Sequence, residues 1–143
     1  MYTVLLRELD YAEDYDVAEL EIELEKEGKL DGFAKVCLDT YGIDWRTVRK
    51  GAQKISRASA LLHAMDPATY PSPDAWSQSL RNKPADITVG RFIERAFELC
   101  ARRRPGKALV FIVDEVGQYV ARSTEKIEDL RAVVEQFGKA SKN

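Results

Sequence analysis

The chain has 143 residues, 45% of them apolar and 32% charged, with a formal net charge of -2. That length supports one domain with a real core and is short for two, so a single compact unit is expected. No segment approaches the run of about 20 apolar residues that a membrane helix needs, which argues against a membrane partner.

The opening MYTVLLRELDYAED has no basic lead, no long apolar region and no small-residue cleavage site, so secretion is not expected. Cys37 and Cys100 stand far apart in helical contexts, as the reduced, half-buried thiols of a cytoplasmic protein would. Charge is segregated: ten acids and one lysine lie between Glu8 and Glu27, and five basic residues without an acid between Arg46 and Arg57. Such asymmetry means that the two regions face each other or different partners.

The segment YTVLLREL reads as a helix, because Glu8 and Leu9 continue its pattern. A second helix places Val17, Leu20 and Leu24 at helical spacing, with Asp16 as its N-cap and Gly28 as its stop. A third carries Leu30, Phe33, Val36, Cys37 and Tyr41 on one side and stops at Gly42. From Asp44 to Ala64 the spacing predicts one long helix, with Val48, Ala52, Ile55, Ser59 and Leu62 toward the core. Its opposite face holds Arg46, Arg49, Lys50, Lys54 and Arg57. That face would either lie on a DNA backbone, or be solvated or paired with the acidic helix at 16–27.

The prolines of MDPATYPSPDAW end this helix, and Ser72 restarts a short one running to about Leu80. RNKPAD is a further break. Thr88 then caps a helix with Phe92, Ile93, Ala96, Phe97 and Cys100 on its apolar stripe and a basic last turn, ended by Pro105 and Gly106. Ser123 or Thr124 opens a final helix with Ile127, Leu130, Val134 and Phe137, closed by Gly138.

Between these last helices the five apolar residues Leu109 to Val113 read as one buried β-strand ending in Asp114 and Glu115. The fold class is thus mostly α with a lone strand at 109–113, whose backbone groups need partners. The strand therefore belongs to a larger sheet. Left alone, it is expected to pair with a second copy of the chain or to be covered by the N-terminal segment.

An apolar strand ending in Asp-Glu fits the Walker B element of P-loop ATPases, because ligands bind at the C-terminal ends of such strands. There the Asp holds Mg²⁺ and the Glu polarises the attacking water. The competing reading is a core strand that ends at a solvated turn.

The segments LDYAEDYDVAELEIELEKEG, VRKGAQKISRASALLHAMDPATYPSPDAW and DITVGRFIERAFELCARRRPGKALVFIVDEVGQYVARSTEKIEDLRAVVEQFG together resemble the large P-loop ATPases of BREX phage-resistance systems, the BrxC and PglY group. FIVDEVGQYV and IEDLRAVVEQFG are the most specific parts. The resemblance implies that Asp114 is the Mg²⁺-side and ATP-associated acid and Glu115 the catalytic one. It also implies an internal piece of a longer protein, a DNA-associated motor or switch in phage defence. Residues 1–107 would be its helical segment between Walker A and Walker B, and 108–143 the Walker B strand and following helix. The strand would join the α/β P-loop sheet of the parent, and the partners would be the rest of that domain and other defence-system subunits.

A phosphate loop needs G-x-x-x-x-G-K-[ST]. The Gly-Lys pairs Gly28-Lys29, Gly106-Lys107 and Gly138-Lys139 lack both the following hydroxyl and the earlier glycine. ATP and Mg²⁺ therefore belong to the parent, and this chain alone is expected to be inactive and to bind neither tightly. Arg102 to Arg104 could supply an arginine finger, although a basic last turn is ordinary in a helix. His63, Ser56 and Ser59 have no partners for a triad, and the two cysteines cannot build a four-ligand zinc site without more donors. The alternative function is a helical protein- or nucleic-acid-interaction module without nucleotide chemistry.

Overall fold

The computed structural model describes residues 2–82, 88–110, 112, 116, 117 and 123–140. Among the described residues the chain is mostly helical, with eight α-helices and no strand. They fall into two compact units, Met1–Ala85 and Asp86–Asn143.

The first unit opens with α1 (Tyr2–Glu8), which buries Tyr2, Leu5 and Leu6. Its end is a Schellman motif: Tyr11 N–H donates to Leu6 O at 2.8 Å and Asp10 N–H to Arg7 O at 3.0 Å. The motif needs a left-handed residue, normally glycine, and here Asp10 takes it with φ of 59°. Helix α2 (Tyr15–Lys26) is capped by Asp14, whose side chain accepts from Val17 N–H. The expected cap, Asp16, lies inside the first turn, because the extended backbone that a cap needs belongs to Asp14. Gly28 closes α2 with a second Schellman motif at φ 68°.

Helix α3 (Leu30–Tyr41) buries Phe33 and Cys37 and ends at left-handed Gly42, both as the spacing predicts. The long helix expected over 44–64 is instead two: α4 (Trp45–Val48) and α5 (Lys54–Met65). Between them the backbone tightens, with Lys50 N–H on Thr47 O and Gly51 N–H on Val48 O. A Cβ at Gly51 would lie only 3.3 Å from Val48 O, so glycine permits a turn that the apolar spacing conceals. Ala52, placed on the core face by that spacing, is exposed.

Helices α2, α3 and α5 pack on one another, α4 packs on α3, and α6 (Ala75–Ser79) packs on α5. Phe33 meets Trp45 edge to face, with ring centroids 4.8 Å apart at 87°. Ser77 N–H donates to buried Ser59 Oγ at 3.2 Å, tying α6 to α5. Helix α6 begins after Asp74 rather than at Ser72, whose hydroxyl instead donates to Asp74 Oδ1.

In the second unit Thr88 caps α7 (Val89–Arg103), accepting from Arg91 N–H at 3.3 Å. Phe92, Ile93, Ala96 and Leu99 are buried. Helix α8 (Thr124–Ala140) starts after Ser123, whose Oγ accepts from Lys126 N–H, and packs on α7 with Phe137 against Phe92 and Phe97. Gly138 does not stop this helix. A glycine ends a helix by turning left-handed, and the left-handed glycines here are Gly28, Gly42 and Gly106.

The buried strand expected at 109–113 is not seen among the described residues. Leu109 and Val110 lie in no regular element, and Val110 and Ile112 are 74% and 92% exposed. The N-terminal segment buries α1 in the first unit, where Tyr2 reaches Tyr15 and Glu19 of α2. Phe111 and Val113 lie outside the described residues. Among the described residues no helix is long and apolar enough to cross a membrane.

Removing the Phe33 ring leaves a cavity at the junction of α3 and α4. Phe33→Ala is expected to lower the unfolding free energy by about 3–5 kcal/mol in urea denaturation followed by helical circular dichroism.

Candidate functional site

Asp114 and Glu115, the acids singled out in the sequence, lie outside the described residues. The chain leading to them is described. Helix α7 ends in Arg102 and Arg103, the chain turns at Gly106 with φ of 71°, and Lys107 to Val110 follow without regular structure. An open cleft of about 640 Å³ here is lined by Phe97, Cys100, Arg104, Lys107, Leu109 and Phe137, among others.

The Gly-Lys pairs do not make a phosphate cradle. Gly106-Lys107 follows the C-terminus of α7 and Gly138-Lys139 lies within α8. Gly28-Lys29 joins α2 to α3, with Lys29 Nζ 2.7 Å from Glu27 Oε2. No group of three His, Cys, Asp or Glu side chains that could hold a metal ion occurs among the described residues.

The basic residues of 46–57 are drawn into their own fold. Arg49 Nη2 is 2.8 Å from Asp10 Oδ1 and its Nη1 is 3.0 Å from Glu21 Oε1. Arg46 reaches Asp10 Oδ2 at 2.7 Å, and Lys54 reaches Asp14 Oδ2 at 3.2 Å. Arg57 lies over the Tyr41 ring, 5.1 Å from its centroid. Lys50 is exposed and lines a cleft of about 510 Å³ with Arg7, Asp10, Glu13 and Lys54. The pairing partners are the acids of the α1–α2 turn together with Glu21, rather than the solvent-facing acids of α2. Arg49 and Lys54 are thus turned inward, which leaves Arg46 and Lys50 as the exposed members of the set.

At the centre stands Glu21, 1% exposed. Its carboxylate accepts from Ala12 N–H at 2.7 Å, Trp45 Nε1–H at 2.6 Å and Arg49 at 3.0 Å. A buried carboxylate is costly unless its oxygens are hydrogen-bonded, and these three donors engage both of them. Arg49 also donates to Asp10 O at 3.1 Å. Burial opposes the Arg49 charge, but Glu21 and Asp10 more than offset it and hold its pKa above the usual arginine value. The sequence offered pairing of the basic face with the helix at 16–27, which Arg49 and Glu21 make, but the burial of Glu21 was missed. The signal was there: Glu21 stands four residues after Val17 and three before Leu24, on the apolar stripe.

His63 has a structural partner, its Nδ1 lying 2.6 Å from Tyr70 O. Cys37 is buried and Cys100 half-buried, and burial pushes both thiols above the ordinary cysteine value, so neither is an activated nucleophile. No family model matches the chain, and no solved structure matches it.

Because each partner leaves the other charged and buried, Glu21→Ala and Arg49→Ala should each cost about 3–5 kcal/mol. The double variant should cost clearly less than the sum in a double-mutant cycle; strict additivity would show that the two do not act as a pair.

Proposed function

We propose that the chain is part of a P-loop ATPase of a BREX-type phage-defence system, to which it contributes the Walker B acids. Asp114 is the carboxylate on the Mg²⁺ side and Glu115 the one that polarises the attacking water. The phosphate loop comes from residues outside these 143, and the parent acts as a DNA-associated motor or switch together with other defence subunits.

The observation that carries the reading is the run Leu109–Val113 ending in Asp114-Glu115 between two amphipathic helices. The exposure of Val110 and Ile112 is in keeping with it, since a strand of a parallel sheet is apolar on both faces and needs its neighbours to cover them.

A second reading, a helical protein-interaction module, is favoured by the mostly helical described residues and by Ile127 and Val134, which are exposed on α8. A nucleic-acid module is less favoured, because Arg46, Arg49 and Lys54 are occupied by acids of the same chain.

The readings separate in an ATP-binding and hydrolysis assay. The 143-residue chain alone should neither bind ATP tightly nor hydrolyse it. In the parent, Glu115→Gln should abolish turnover while ATP binding persists. Full turnover in that variant would overturn the assignment.

A further inference from the structure

The open cleft of about 640 Å³ between the end of α7, the turn after it and α8 has an apolar floor of Phe97, Cys100, Leu109 and Phe137. The Phe97 and Phe137 rings meet there at a tilt, with centroids 6.0 Å apart. All four floor residues are half-buried, so each keeps part of its surface toward solvent. Arg104 and Lys107 stand at the mouth, on either side of the left-handed turn at Gly106, where Lys107 N–H donates to Arg104 O at 3.1 Å. Arg104 makes contacts of its own within the chain, and its charge is felt by the Cys100 thiol on the floor. Lys107 is exposed. Every other lining residue is alanine or glycine.

This lining is selective in two ways. It carries two cations and no acid. The cleft beside Lys50, by contrast, mixes its basic residues with Asp10, Glu13 and Asp14, and the one along α7 mixes Arg91 and Arg95 with Glu94 and Glu98. The lining side chains also include no hydroxyl, amide or carboxylate, so a sugar or a nucleoside would bury hydrogen-bonding groups without side-chain partners. An apolar body loses no such bonds on entering, and a negative charge at its end meets the Lys107 ammonium. The volume is that of a small-molecule site.

We propose that this cleft binds a small amphipathic anion, an apolar ring or short chain ending in one anionic head such as a carboxylate. The body lies on Phe97, Leu109 and Phe137, and Lys107 pairs with the head. The inference goes beyond the nucleotide reading and does not need it, since the ligand has no base and Asp114 and Glu115 take no part. Its readout is binding in the absence of nucleotide, so the two can fail separately.

Fluorescence titration of the 143-residue chain with anilinonaphthalene sulfonate tests it, with helical circular dichroism to check that each variant folds. The probe should bind at a single saturable site, and decanoate should displace it where decanol and ATP do not. Lys107→Glu should raise the dissociation constant about ten-fold, since it replaces an attraction by a repulsion at the mouth. Lys107→Arg should keep the wild-type affinity. N-phenylnaphthylamine, which has the same rings without the sulfonate, should bind the wild type and Lys107→Glu alike. Leu109→Asn, which takes apolar surface from the floor, should weaken both probes. A wild type without saturable binding would overturn the proposal. So would equal binding of the anionic probe by the wild type and Lys107→Glu, unchanged binding to Leu109→Asn, displacement by decanol as good as by decanoate, or displacement by ATP.

Discussion

The first unit depends on one buried carboxylate. Glu21 sits among apolar residues of α2, where an unsatisfied charge would cost several kcal/mol. Its donors come from the turn before α2, from the indole of α4 and from the guanidinium just after α4. Because all of these must converge on one group, the positions of the α1–α2 turn and of α4 against α2 are fixed together. An apolar residue at 21 could pack, but it would not select a register. The pair therefore specifies the arrangement more than it adds net stability.

Arg49 carries that constraint outward. Its side chain is 9% exposed, and its fork reaches Asp10 as well as Glu21. It stands at the C-terminal end of α4, just before the tight turn at Gly51 that separates α4 from α5. The charge segregation seen along the sequence is largely spent inside the fold. In the second unit the basic turn at the end of α7 stands before apolar residues that remain exposed, so its charges have a different setting.

Much of the helical layout was legible in the sequence. The reason is local: Thr88, Ser123, Gly28 and Gly42 act on backbone groups within a few residues, so their effect shows in short stretches. The break at residues 49–53 was not legible, since Val48, Ser59 and Leu62 keep helical spacing across it and Gly51, which permits the tight turn, does not by itself mark one. The division between the units was visible as a break at Pro84 but not as a boundary, because a proline looks the same within a domain and between two. As for the candidate site, Asp114 and Glu115 rest on sequence pattern and resemblance. The ion-pair cluster was hidden because helical spacing marks a stripe without saying which charged residue will be buried in it.

Asp10 shows how narrowly such a cluster can constrain a chain. The left-handed turn after α1 suits glycine, and the charge network asks for a carboxylate, two demands that no other residue type meets together. Glycine would relax the backbone and abandon two arginines; glutamate would keep the charge but strain the turn; asparagine would keep the turn and lose the charge. The position is thus intolerant of exchange for reasons that have nothing to do with burial, since Asp10 is exposed. Variation among proteins sharing this unit would be expected to stop at a surface residue that a map of solvent accessibility would mark as free to change.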